Sequence, residues 1–132
     1  MTDLFLAAED RLLLGMSTAV RGPKQNGYYA LWLFVRQCDG ELLRGALSPD
    51  ASERRLALLE RRLSSLSLPA PLRRGMSGAL RELHSGPETD VAHALDQLIA
   101  PASDALGPTA ADAMAKASRK ARVVSIENGN PQ

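Results

Sequence analysis

The sequence predicts an all-α protein, a compact bundle of five to six short amphipathic helices. Two observations carry that expectation. Apolar residues recur at helical spacing in one segment after another, and the segments are separated by Gly22-Pro23, Ser48-Pro49, Pro69 and Pro71, Gly86-Pro87 and Gly107-Pro108. A third observation is the composition, 45% apolar and 23% charged, which is the ordinary globular balance. A chain of 132 residues can bury roughly two-thirds of its unfolded surface, enough for one core without disulfides or metal. The expected domain is 1–124, with 125–132 as a disordered tail.

The first helix is expected from Thr2 to about Val20, with Thr2 or Asp3 as its N-cap. Its stripe is Phe5, Ala8, Leu12, Met16 and Ala19, widened by Leu6, Leu13 and Val20. The loop "RGPKQNG" ends it, because both Gly22-Pro23 and Asn26-Gly27 are turn signals. The second helix starts at Tyr28 with the set Tyr28, Leu31, Val35, Cys38 and Leu42. Tyr29, Leu33 and Phe34 fall on its other sides, so this helix is central or has a second face in an interface. A β-hairpin over 28–47, turning at Asp39-Gly40, is the minor alternative. Alanine and leucine within the segment favour helix.

Ser48 as N-cap and Pro49 at the first position open a third helix running to about Leu66. Leu56, Leu59, Leu63 and Leu66 form a coiled-coil-like seam. Pro69 and Pro71 open a fourth helix with Leu72, Met76, Ala79, Leu80 and Leu83 on one face, and Gly86 closes it. Pro87 begins a fifth, with Val91, Ala94, Leu95, Leu98 and Ile99, which Pro101 breaks or kinks. Gly107-Pro108 starts an alanine-rich helix to about Arg122. Connections of a few residues place sequential helices antiparallel and adjacent.

Little in the chain points to catalysis. There is no phosphate-binding glycine loop, no His-Glu-x-x-His and no paired-cysteine spacing. No enzyme activity, cofactor or metal is expected. His84 suits the end of the fourth helix, His93 faces water, and Glu88, Asp90 and Asp96 read as helix-end acids rather than cation ligands. Cys38 reads as a small hydrophobe. A ligand pocket between Trp32 and Met76 is a further option. Acidic residues stand where a signal peptide needs basic ones, and the apolar run "YYALWLFV" is far short of the roughly 20 residues of a spanning helix. A cytoplasmic protein that does not enter membranes is expected.

The charge pattern is more informative. Net charge is +1, so no global field attracts a polyanion. Residues 53–83 nevertheless hold seven arginines and three glutamates. With the leucine seam at a and d, Glu53 and Glu60 take one border, Arg55 and Arg62 the other, and Arg54 and Arg61 point outward. Arg74 and Arg81 share the outer face of the next helix. Between Ser85 and Ala115 the only charges are five acids, Glu88, Asp90, Asp96, Asp104 and Asp112, a potential counterpart for the arginines. The pattern predicts a protein–protein interaction module, a subunit, adaptor or regulator that self-associates. Its interface candidates are Tyr29, Leu33, Phe34, Arg55, Arg62 and Arg74. The alternative is a nucleic-acid-binding regulator using Arg54, Arg61, Arg74 and Arg81, which lacks interleaved aromatics or a recognisable module.

Overall fold

The computed structural model describes residues 5–43, 49–84 and 90–129, with side chains at 5–42, 53–84 and 90–124. The described chain is all helical: α1 (Leu6–Thr18), α2 (Pro23–Leu43), α3 (Pro49–Ser64), α4 (Ala70–Leu83), α5 (Val91–Asp96), α6 (Ile99–Leu106) and α7 (Pro108–Gly129). The N-cap candidates Thr2, Asp3 and Ser48, the stop at Gly86 and the start at Pro87 lie outside the described residues.

The hairpin alternative is overturned over its described part, since α2 is continuous through Asp39-Gly40 to Leu43. The start of α2 also differs from expectation. Gly22 sits at φ 129° and Pro23 is already helical, so the turn is complete before Asn26-Gly27. Pro23 fits there because the first helical residue needs no N–H donor and its φ is preset. Gly107, at φ 106°, and Pro108 repeat the same device between α6 and α7. Asn26 is used differently: its side-chain amide donates to the Ser67 carbonyl at 3.1 Å and ties α2 to the connection before α4. Gly27 is buried, and a Cβ there would lie 3.0 Å from Leu106 and 3.1 Å from Leu72.

The core gathers around α2 and α7. Ala30, Leu31, Phe34, Val35 and Cys38 of α2 are buried, as are Ala110, Ala113, Met114, Ala117 and Ala121 of α7. The alanines let α7 approach α1, α5 and α6 closely, and α2 packs chiefly on α1 and touches α3, α5, α6 and α7 more lightly. The whole expected face of α4 is buried: Leu72, Met76, Ala79, Leu80 and Leu83. The stripe 91–99 is divided. α5 ends at Asp96, and α6 begins at Ile99, with Pro101 inside its first turn, where no donor is missed. α7 continues past Arg122 and the 125 boundary to Gly129.

Two departures concern apolar residues left outside. The stripe of α1 is narrower than expected: Ala8 and Leu12 are buried, but Leu6 is 57% and Val20 83% exposed, and Leu13 is also exposed. Helix α3 lies at the edge of the bundle, in contact chiefly with α2 and α4, and only thinly. Leu56, Leu59 and Leu63 are buried there and Leu66 is half-buried, while Leu58 is 57% exposed.

Candidate functional site

The wheel position of the charges on α3 is realised in space. Its glutamate border faces α4, where His84 lies 3.3 Å from Glu60 and 3.8 Å from Glu53. Its arginine border faces α2. There Leu33, Arg36, Gln37 and Gly40 of α2 and Arg55, Leu58, Leu59 and Arg62 of α3 line an open groove of about 400 Å³. Each row has the spacing i, i+3, i+4, i+7, one face of a helix over two turns. The floor is apolar, from Leu33, Leu58 and Leu59. Arg55 and Arg62 stand at the two ends of the α3 row, roughly 10 Å apart along the helix axis at 1.5 Å per residue.

No carboxylate is among the described residues that line this groove. Arg55 and Arg62 make no ion pair among the described residues. The described part of α2 presents Arg36 and Gln37 to them. Arg36 is anchored from the other side. Its guanidinium lies 6.0 Å from the Trp32 ring centroid and 3.6 Å from the buried Glu9 carboxylate of α1. Tyr29 stacks on Trp32 with centroids 6.1 Å apart. The Trp32 indole N–H is buried without an acceptor among the described residues. The column Tyr29, Trp32, Arg36 thus stiffens the rear wall of the groove.

The expected interface residues separate into two groups. Leu33, Arg55 and Arg62 come together in the groove. Phe34 does not join them: it is 0% exposed, a core residue, because α2 is covered on that side by the other helices. Tyr29 is half-buried beside Trp32, and Arg74 is exposed on α4, away from the groove lining. Arg36, Gln37, Gly40 and Leu58 were missed. The signal for the three α2 residues was the i, i+3, i+4, i+7 face that begins at Leu33, which the heptad set of α2 leaves unused. Arg54, Arg61, Arg74 and Arg81 are all exposed, as the outward-facing reading required.

Within the chain, the described acids of the 85–115 stretch make no ion pair with the arginines of α3 or α4. Asp112 pairs with Arg11 at 2.8 Å and lies 3.7 Å from Lys116. Asp90 caps α5 by accepting from the His93 backbone N–H at 3.0 Å. Asp96 holds α5 to α7: Ser118, itself buried, donates to it at 2.5 Å and accepts from Arg122 at 3.0 Å, and Arg122 also pairs with Asp96 directly. Burial alone would raise the Asp96 pKa. The Ser118 hydrogen bond, the Arg122 hydrogen bond and charge, and nearby His93 outweigh it and hold the carboxyl below its ordinary value. Asp96→Ala is expected to cost about 1–2 kcal/mol at neutral pH, allowing for solvent screening at a partly open site. Because the folded pKa is depressed, that stabilisation is present above the unfolded value near 3.9 and fades as pH falls below about 4. Urea denaturation of wild type and variant at pH 7 and pH 3 checks this; an equal difference at both pH values would refute it.

The remaining candidates are structural. Cys38 is buried, and burial, with Glu41 and Asp39 adding to it, pushes its thiol well above the ordinary value, which suits a small hydrophobe. Met76 lines a cleft of about 520 Å³ between α3 and α4, with Leu63, Leu66, Leu68 and Leu80. Trp32 lines neither this cleft nor the groove. No three His, Cys, Asp or Glu residues among the described ones are placed to hold a metal ion. No described helix is long and apolar enough to cross a membrane. No protein-family model, curated protein or solved structure matches this chain.

Proposed function

We propose that this chain is a protein-contact module, a subunit, adaptor or regulator working in the cytoplasm, whose docking surface is the groove between α2 and α3. The observation that carries the reading is the lining itself: Leu33, Leu58 and Leu59 as an apolar floor, Arg55 and Arg62 at its ends, and no carboxylate among the described lining residues. An apolar floor supplies affinity by removing hydrocarbon from water. Guanidinium groups at its ends select a carboxylate-bearing occupant and fix its register. Two parallel rows over two helical turns suit an amphipathic helix laid along the groove. The fitting partner is therefore a helix with acids about seven residues apart and leucine-like side chains between them. Nothing in the groove supplies a nucleophile with a base, so the reading is binding and not catalysis.

The test is fluorescence anisotropy of a labelled helical peptide of that pattern. Binding in the micromolar range is expected, weakened roughly tenfold or more in Arg55→Glu/Arg62→Glu. Equal binding by both proteins would sink the reading. Labelled duplex and single-stranded DNA and RNA serve as the second arm, because the exposure of Arg54, Arg61, Arg74 and Arg81 favours nucleic acid as the runner-up. Dissociation constants of roughly 10⁻⁴ M or weaker near physiological salt are expected there. Submicromolar binding, lost when those four become alanine, would make nucleic acid the leading reading.

A further inference from the structure

The outer face of α1 has the complementary chemistry. Leu6, Asp10, Leu13, Leu14 and Ser17 fall within one side of the helix, opposite the buried Ala8 and Leu12. Leu14 is 65% and Leu6 57% exposed, and Asp10 stands between them in water. The face carries no base of its own. Arg11 is turned toward α7, where it pairs with Asp112 at 2.8 Å.

Two surfaces of one chain therefore lack what the other supplies. Among the described residues, the groove has two arginines without an ion pair, Arg55 and Arg62, over an apolar floor, and α1 has an exposed acid, Asp10, among exposed leucines. They cannot meet within one molecule. Ala8, Leu12 and Glu9 hold the opposite side of α1 against the bundle, so its leucine face points away from the groove.

We infer that the occupant of the groove is α1 of a second copy of this chain, with Leu6, Leu13 and Leu14 on Leu33, Leu58 and Leu59 and Asp10 against Arg55 or Arg62. The inference rests on the groove reading above. The contact joins unlike surfaces, so each copy has one donor face and one acceptor groove. A two-fold pair exchanges both contacts and closes, whereas a non-reciprocal arrangement extends.

Multi-angle light scattering across a wide concentration range tests it, with Asp10→Arg as the α1 variant and Arg55→Glu/Arg62→Glu as the groove variant. All changes lie at exposed or half-buried positions, and circular dichroism and thermal unfolding verify that both variants stay folded. The wild type is expected to associate, and each variant alone to do so at least roughly tenfold more weakly. An equimolar mixture of the two variants is expected to regain association, because the groove variant brings an intact α1 and the α1 variant an intact groove. Combining all three changes in one chain reverses both charges and is expected to restore association too. Wild type that stays monomeric, variants that associate as wild type does, or a mixture that stays dissociated would each overturn the inference. The acidic-peptide titration then separates the two readings: peptide binding that needs Arg55 and Arg62 leaves the groove standing with another protein as its occupant, and its absence removes both.

Discussion

Phe34→Ala lowers the free energy of unfolding by about 3–5 kcal/mol, the range for removing a buried phenylalanine, and Phe34→Asp leaves no folded protomer. Phe34 is 0% exposed and is the largest fully buried side chain among the described residues. It lies on α2, which touches α1, α3, α5, α6 and α7, so surrounding elements cannot collapse into the space without losing their own contacts. An aspartate there would be charged in an apolar site, or neutral at a comparable cost. Domains of this kind have about 5–15 kcal/mol of stability in total, so either change consumes much of it. Urea denaturation of Phe34→Ala measures the first effect and circular dichroism of Phe34→Asp the second. A loss under about 1 kcal/mol, or a helical and monodisperse Phe34→Asp protein, would place Phe34 outside the core.

Gly75→Leu is expected to cost more than about 3 kcal/mol, and Gly75→Ala about 1–3 kcal/mol, the usual range for overpacking. On an exposed helix, glycine to alanine would stabilise by about 1 kcal/mol. Position 75 reverses the sign because α4 crosses α6 there. A Cβ on Gly75 would sit 2.8 Å from the Cβ of Pro101 and still nearer its Cγ. A proline ring has no rotamer to move into, so the two helices must separate and uncover Leu98 and Ala102, both fully buried. Gly78 is the control. A Cβ there meets only the end of the Gln97 side chain, at 2.9 Å, which can swing away. Gly78→Ala is therefore expected to be neutral or stabilising by up to about 1 kcal/mol. If chemical denaturation ranks the two alanine variants the other way, α4 and α6 do not pack as described.

The helix-forming pattern was legible because it depends on local chemistry. The face Leu72, Met76, Ala79, Leu80 and Leu83 is buried as its spacing required. The seam Leu56, Leu59, Leu63 is buried too, with acid on one border and arginine on the other. Asn26-Gly27 was misleading because a turn signal in sequence carries no information on close packing. The glycine is needed where Leu72 and Leu106 approach α2, and Pro23 had already started the helix. The split of the 91–99 stripe and the placement of Pro101 opposite Gly75 likewise depend on a crossing between distant segments.

By itself the sequence determined that the chain forms helices, which residues of α3 and α4 face inward, and that Arg55 and Arg62 share an edge. Three- and four-residue spacing fixes a face, and a face is a property of one helix. Which face of α2 is covered, and by what, was decided only by the tertiary structure. It sent Phe34 into the core and left Leu33 beside Arg55 and Arg62, since rotation of a helix about its axis is set by its neighbours. The exposure of Leu6, Leu13 and Leu14 has the same origin. An apolar residue is buried when another element covers it, and α1 has no described helix over that side.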